Sequence, residues 1–238
     1  MIASRRSAPA GVMIRTVLHV EVWSDVVCPW CYIGKRRFEQ ALARFEHRDL
    51  VSVSWRSFEL DPHAPRERDA DPAGTLAVRH GIERTEAEAM RARVASVAAG
   101  EGLHYLPDAG GIVNSFDAHR LTHLAAAHGQ QAEVVERLFA IHFLEGGWIA
   151  DSAVLVGAAT SVGIDAEEAE AMLEGRALSL QVAEDERLAS RLGARGVPFF
   201  VAGRSFSVSG AQPAETLLGM LRQGWDDAEA GASAAAEL

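Results

Sequence analysis

The stretch VLHVEVWSDVVCPWCYIGKRRFEQALAR, residues 17–44, holds the two cysteines of the chain, Cys28 and Cys31. Its beginning, VLHVEVW, is rich in β-branched and aromatic residues, which indicates a buried strand. From Pro29 onward apolar residues recur at helical spacing, and Pro29 stands at the first helical position, which tolerates a missing N–H. The stretch therefore predicts a strand, a Cys-x-x-Cys motif and a helix in immediate succession.

This placement gives the two cysteines different chemical roles. Cys28 lies just before the first helical turn, where free N–H groups and the helix dipole stabilise a thiolate. Cys31, one turn further along, can attack a mixed disulfide held on Cys28 and release the partner. Pro29 fixes the backbone between them, and Trp30 offers an apolar ring to a bound chain. The motif thus predicts a nucleophile, Cys28, and a resolving thiol, Cys31.

Metal binding is the main alternative for such residues. Two cysteines are too few for a thiolate-rich zinc site or a disulfide framework, although ligands from elsewhere could complete a site. His119 and His123 have the i, i+4 spacing that a metal can use, but only His128 and Asp117 lie nearby. We interpret these histidines as surface residues of a helix and predict no metal site.

Composition excludes several classes of protein. The 238 residues carry a net charge of −10, which disfavours nucleic-acid binding, and 48% are hydrophobic, as in a folded globular chain. No apolar run is long enough to cross a membrane. Arg5 and Arg6 resemble the start of a signal peptide, but the apolar stretch that should follow is interrupted. We therefore expect a cytoplasmic protein.

The rest of the chain alternates in character. LVSVSWRSF, residues 50–58, alternates apolar and polar side chains and predicts a second strand. Strand signals are then replaced by helical periodicity. The predicted helices of this part are 74–80, 85–99, 115–128, 132–144, 151–162 and 166–173. Beyond them we predict a helix over 177–192, short strands at 199–201 and 206–208, and a last helix ending near Gln223.

These elements predict an α/β protein with a discontinuous domain. Residues 16–58 and 176–225 together form a small α/β domain, and residues 59–175 form an all-helical insertion. Residues 1–15 and 226–238 lack a periodic apolar face, so we expect disordered ends.

Four segments carry a resemblance to a known family. They are VWSDVVCPWCYIGKRRFEQAL, WRSFELDP, NSFDAHRL and GARGVPFFV…SGAQ. A strand followed by Cys-Pro-Trp-Cys at a helix start resembles the thioredoxin superfamily, and the helical insertion resembles its DsbA branch. The whole set is similar to the FrnE-like, largely cytoplasmic DsbA-family oxidoreductases, from about Val17 to Leu221. The resemblance implies a thioredoxin-like domain with a DsbA-like helical insertion.

The resemblance also implies roles for residues far from the cysteines. Val197 and Pro198 are expected to form a cis peptide bond that faces the disulfide and to dock a substrate strand there, beside Trp30. Asn114, in the NSFDAHRL segment, either borders the cleft or only caps its helix.

The sequence departs from this family pattern near the cysteines. Thioredoxin-like domains often carry a buried acid six residues before the first cysteine, which relays a proton for the second; here that residue is Val22. Glu21, Asp25 or water could substitute, although each acid could also be an ordinary surface or capping carboxylate. Glu59 follows the second strand, and either tunes the cysteines electrostatically or is simply exposed. Some FrnE-like relatives carry a second cysteine pair, which this chain lacks.

The sequence thus favours a thiol–disulfide oxidoreductase acting on protein thiols or glutathione. Its redox-active group is its own Cys28–Cys31 pair, so no cofactor is expected, and glutathione is a candidate co-substrate. An alternative is a glutathione-dependent isomerase or transferase of the 2-hydroxychromene-2-carboxylate isomerase or kappa-class type. Those relatives typically place serine at the first cysteine. A non-catalytic, chaperone-like binder is the third hypothesis. None of these implies a nucleic-acid or membrane partner, and the sequence leaves the oligomeric state open.

Overall fold

The computed structural model describes residues 16–203 and 205–236, which form one four-stranded sheet with helices around it. The strands are β1 (Leu18–Ser24), β2 (Val51–Ser57), β3 (Phe199–Ala202) and β4 (Phe206–Ser209). The helices before the third strand are α1 (Pro29–Ala43), α2 (Pro72–His80), α3 (Arg84–Gly100), α4 (Phe116–Ala127), α5 (Gln131–Phe139), α6 (Ser152–Ser161), α7 (Ala166–Glu174) and α8 (Ser179–Arg191). Helix α9 (Ala214–Ala236) closes the described chain.

The sheet has the order β2-β1-β3-β4 and mixes two kinds of pairing. β1 pairs with β2 in parallel, which requires a crossover, and helix α1 supplies it. β1 pairs with β3 and β3 with β4 in antiparallel fashion. Strand β1 therefore lies inside the sheet, between β2 and β3, and the Cys-x-x-Cys motif follows it directly.

The two faces of the sheet are covered by different helices. Val20 and Val22 of β1 point into a core that includes Leu217 and Leu221 of α9. Trp23 points to the opposite face, where it packs with Phe199 of β3 and Ala189 of α8. Its indole N–H donates a hydrogen bond to a backbone carbonyl of α8. This alternation follows from the two-residue period of a strand.

Helices α2 to α7 lie between β2 and α8 in the chain, and α4 is the most deeply buried of them. Arg120 on α4 donates to the backbone carbonyls of Met172, Gly175 and Ala177, all in the segment that returns to the sheet. Its guanidinium also pairs with Asp117 at 2.7 Å. Because one buried cation satisfies three carbonyls, it fixes the path from the helical part back to α8.

The predicted class, an α/β fold with a large helical insertion, is confirmed, but two elements differ from the sequence prediction. The predicted helix over 132–144 changes at Ala140 to a π-helical turn, Ala140–Leu144. The last helix continues past Gln223 to Ala236, where we expected a disordered tail from residue 226. Alanine has the highest helix propensity, so the tail extends the helix without an apolar face of its own. Residues 1–15, and the last two of the chain, lie outside the described residues.

Among the described residues, no helix combines the length and apolar character that crossing a membrane requires.

Candidate active site

Cys28 occupies the N-cap position of α1. Its backbone is extended (φ −87°, ψ 113°), its N–H donates to the carbonyl of Asp25 at 3.0 Å, and its carbonyl accepts from the N–H of Cys31 at 3.0 Å. Pro29 stands at the start of the helix, as predicted from the sequence. Cys28 is therefore held at the positive end of the helix dipole, an environment that stabilises a thiolate.

Cys31 lies on the buried side of the same turn and is only 1% exposed. Burial, together with the neighbouring Cys28 sulfur, raises the pKa of the Cys31 thiol well above its usual range, although the backbone of Asp25 and the hydroxyl of Ser24 oppose this effect. Both cysteines are free thiols in the structure. Cys28 is buried as well, at 4% exposed, so the two sulfurs differ in their place on the helix and in the raised pKa of Cys31 rather than in exposure.

Val197 and Pro198 lie against the first cysteine. The carbonyl oxygen of Val197 is 3.8 Å from Sγ of Cys28, and the Val197–Pro198 peptide bond is cis. The Pro198 carbonyl accepts from the N–H of Gly210 at 2.8 Å. Helix α1 approaches so closely that a Cβ on Gly34 would be 2.7 Å from Cγ of Pro198. The Val-Pro segment is therefore held from two sides, by the hydrogen bond from Gly210 and by the close packing of Gly34.

The motif is also held from the helical part of the chain. The hydroxyl of Tyr105, between α3 and α4, donates to the carbonyl of Pro29 at 2.8 Å. The Tyr105 ring stacks on Phe143 with 4.7 Å between ring centroids. Trp30, in contrast, is 40% exposed, which makes it the accessible aromatic ring of the motif. Sequence reasoning missed Tyr105, because no local pattern links a loop tyrosine to a carbonyl 76 residues away.

The Asn114 side chain forms hydrogen bonds to the start of helix α4 and to a neighbouring loop. Its side-chain oxygen accepts from the N–H of Phe116 at 3.2 Å, and its amide donates to the carbonyl of Pro62 at 3.2 Å. These bonds account for Asn114 as a cap and as a tie between two loops.

The candidate substitutes for the missing buried acid have different surroundings. Glu21 forms an ion pair with Arg56 at 2.6 Å. Asp25 is completely buried, and its carboxylate lies 3.4 Å from Nε2 of His119. Burial first, and then nearby acids, raises the pKa of half-buried Glu59 to about 7, although His119 opposes this shift. Asp25 and Glu59 therefore interact with the same buried histidine, His119.

The interpretation of the helix histidines as surface residues was wrong. His119 is 2% exposed and faces Asp25, while His123 contacts Ser57 and Asp185 at 3.1 Å each. Helix α4 packs on several sides at once, so its polar positions are buried too, which periodicity alone did not reveal. No cluster of three or more metal-binding side chains occurs among residues 16–203 and 205–236.

Comparison with known proteins places this geometry in a family. Residues 19–222 match the DSBA-like thioredoxin domain. A crystal structure of a probable DsbA oxidoreductase from Streptomyces coelicolor is 44% identical, covers 88% of this chain and 90% of its own, and has a TM-score of 0.81. The uncharacterized protein YwbO of Bacillus subtilis is 29% identical over 161 residues, 67% of this chain and 73% of its own length.

A more distant structure shares the fold. The cytosolic disulfide reductase DsbM from Pseudomonas aeruginosa, solved with GSH, is 22% identical with a TM-score of 0.56, and the match covers 92% of this chain and all of the other. The family match spans the strand, the Cys-x-x-Cys motif, the helical insertion and the Val-Pro segment together. This chain belongs to the DSBA-like thioredoxin domain family.

Proposed function

We propose that this protein is a thiol–disulfide oxidoreductase that works through Cys28 and Cys31. The observation that supports the proposal is the pair's position, with Cys28 at the N-cap of α1 and Cys31 one turn into the helix, where its thiol has a raised pKa. A helix-terminal thiolate is the attacking species in disulfide exchange. The 44% identity to a probable DsbA oxidoreductase supports the same chemistry.

The two-step reaction balances with these two sulfurs alone. In the reducing direction, the Cys28 thiolate attacks a substrate disulfide, forms a mixed disulfide and expels one substrate thiolate. The Cys31 thiol then loses its proton and attacks the Cys28 sulfur, which expels the second substrate thiolate. Two electrons pass from the cysteine pair to the substrate, and the protein is left with a Cys28–Cys31 disulfide. The reverse sequence oxidises a substrate dithiol.

The substrate would bind along the Val197–Pro198 segment. The Val197 carbonyl next to Sγ of Cys28 offers an acceptor to an extended chain, and exposed Trp30 offers an apolar surface. The proposed partners are protein thiols and disulfides, or glutathione. The glutathione-bound DsbM structure, which shares this fold, supports glutathione, and its description as cytosolic supports a cytoplasmic location.

The alternative, a glutathione-dependent isomerase, makes no use of the second sulfur. The typical serine at the first position is here Cys28, and Cys31 one turn further on supplies the second thiol that redox chemistry needs. Both observations favour the oxidoreductase.

Single-cysteine variants test the proposal. We expect Cys31→Ser to keep the attacking thiol but lose release, so that it accumulates mixed disulfides with glutathione disulfide or oxidised insulin. Cys28→Ser is the matched control, since its remaining thiol is buried and protonated at neutral pH, and it should trap far less. Non-reducing gels and intact mass measurement after alkylation read out the adducts. Equal trapping by both variants would contradict the assigned roles, and no insulin reduction by the unmodified protein would contradict the activity.

A further inference from the structure

The two edges of the sheet differ in how the rest of the chain covers them. At the β2 edge, the side-chain amide of Gln131 accepts from the N–H of Trp55 and donates to its carbonyl, at 2.9 Å each. The N–H of Ser57 donates to the carboxylate of Asp185, also at 2.9 Å. These side chains occupy backbone groups with which another strand would pair, so helices α5 and α8 close this edge.

The opposite edge of the sheet, strand β4, is open. It is the last strand in the order β2-β1-β3-β4. Among residues 16–203 and 205–236, no hydrogen bond reaches the backbone of Phe206, Ser207 or Val208 from any element other than β3. Its sequence, FSVS, also contains none of the charged residues or prolines that commonly protect a free edge. Such an edge can accept a further strand.

A groove of about 400 Å³ lies beside this edge, between β4 and helix α9. Phe206 and Val208 line it from the strand, and Thr216 and Gly219 line it from the helix. Gly219 stands in the middle of α9, where glycine is a poor helix former. Apart from its own helix backbone, no atom of the described chain lies within 4 Å of the position that a Cβ on Gly219 would take. The packing of the single chain therefore does not require a glycine here, and the missing side chain leaves room beside β4.

The residues that line this groove are all uncharged, although 24% of the chain is charged and its net charge is −10. When a surface meets its own copy across a two-fold axis, a charge near the axis faces the same charge of the other copy, which is unfavourable. An uncharged groove on an acidic chain therefore fits a second copy of the chain better than a charged partner.

The side chains of β4 also match one another across such an axis. Phe206 and Val208 are half-buried on the α9 face, while Ser207 and Ser209 are exposed on the other face. When two β4 strands pair in antiparallel fashion about Ser207, Phe206 of each copy stands opposite Val208 of the other, on the same face. An aromatic side chain opposite a β-branched one is a favourable cross-strand pair. The two Ser207 side chains stand opposite each other on the exposed face.

The same axis brings the two copies of α9 together. Ser205 donates to the carboxylate of Asp227 at 3.2 Å, and the chain after Ser209 leads directly into the start of α9. Ser207, in the middle of β4, therefore lies along the middle turns of the helix, where Gly219 stands. Helix α9 packs on both β3 and β4. Two helices placed in this way lie about 10 Å apart across the axis, a normal packing distance, and Gly219 leaves the space for that approach.

We propose that β4 and the neighbouring face of α9 form a two-fold interface between two copies of this chain, in which the two sheets join edge to edge. A four-residue strand alone is too short for a stable dimer, so the contact between the two α9 helices supplies the remaining buried area. Because the two β4 strands run in opposite directions, the cysteine motifs lie at opposite ends of the joined sheet. The interface is therefore independent of the proposed thiol chemistry.

Sedimentation velocity of the full-length protein over a range of concentrations tests this interface. We expect the unmodified protein to form a dimer as its concentration rises. Ser207→Lys should raise the dissociation constant at least about tenfold, because two lysines would face each other directly across the axis. Ser207→Glu should weaken the dimer for the same reason. Ser207 is exposed in the single chain, so neither change disturbs its packing.

Three further samples make the test specific. An equimolar mixture of Ser207→Lys and Ser207→Glu should dimerise where neither variant does alone, since lysine then faces glutamate. Ser52→Lys is the matched control, because it changes an exposed serine on the closed edge strand β2, and it should dimerise like the unmodified protein. Gly219→Leu should weaken the dimer by filling the groove, while circular dichroism shows an intact fold, because the single chain has room for the side chain.

Each result bears on the proposal. The mass of a single chain up to about 1 mM, where even a weak interface is occupied, would overturn it and leave the edge to a strand from another protein. A dimer that persists in both charged variants, or that Ser52→Lys weakens equally, would place the interface elsewhere and overturn it too. A mixture that does not dimerise would contradict pairing about Ser207. Insulin reduction should be unchanged in Ser207→Lys, so loss of the dimer and loss of the proposed activity are separate results.

Discussion

At the scale of single residues, the hydrogen bond from Tyr105 to Pro29 joins the helical insertion to the Cys-x-x-Cys motif. The bond holds the carbonyl in the turn between the two cysteines, so it limits how far Cys28 can move relative to Cys31. The ring itself is anchored by stacking on Phe143. Tyr105 is thus a positioning residue, acting on the motif backbone and not on the reacting sulfurs.

Replacing Tyr105 by phenylalanine should remove the bond and keep the ring. We expect Tyr105→Phe to lower stability by about 0.5–1.5 kcal/mol, the net worth of one hydrogen bond, and to slow disulfide exchange. Urea unfolding and insulin-reduction rates measure the two effects. Tyr32→Phe is the matched control, since its hydroxyl donates to Glu136 at 2.7 Å, away from the Pro29 carbonyl. If both variants slowed exchange equally, Tyr105 would have no special role at the motif.

The sequence identified those residues whose roles follow from their immediate neighbours in the chain. Cys28 and Pro29 could be placed because a strand, a cysteine and a helix start are adjacent in the chain. Gly34 could not, because its need for a small side chain comes from the approach of Pro198, more than 160 positions later. His119 was misplaced for the same reason, since its partner Asp25 lies in a different part of the fold.

At the scale of elements, packing stabilises the first part of helix α9, and intrinsic helix propensity stabilises the rest. Up to Trp225 the helix is anchored, since that indole is 5% exposed, stacks on His47 with 4.2 Å between centroids and contacts Phe45 edge-on. Beyond it the chain is mostly exposed and rich in alanine. The sequence pattern therefore located the packed part of the helix, while the extension depends on propensity without apolar periodicity.

Deletion and substitution in α9 should therefore have very different costs. We expect removal of residues 228–238 to change stability by less than about 0.5 kcal/mol, as for exposed surface positions. Trp225→Ala should cost about 3–5 kcal/mol, because it leaves a cavity between α9 and the chain after α1. Urea unfolding gives both values, and circular dichroism should show helix loss only in the deletion. A large loss of stability in the deletion variant would mean that the alanine-rich turns pack on something.

At the scale of the whole molecule, the helical insertion and the sheet share one hydrophobic core. Val20 and Phe200 of the sheet belong to the same contiguous cluster as Leu121 of α4 and Leu155 of α6. Arg120 then ties the insertion to the segment that leads back to α8. The sequence predicted two parts from the change in periodicity, but periodicity carries no information about whether their cores are continuous.

A shared core predicts that the two parts unfold together. In urea we expect one transition, with far-UV circular dichroism reporting the helices and tryptophan fluorescence reporting largely the sheet, through buried Trp23 and Trp55. Trp148 on the helical side can be replaced by phenylalanine so that the fluorescence comes from the sheet and α9 and, weakly, from exposed Trp30. Coincident midpoints in this variant support a single cooperative unit. If the helical signal were instead lost at lower urea than the fluorescence, the insertion would be an independent domain that unfolds without the cysteine motif.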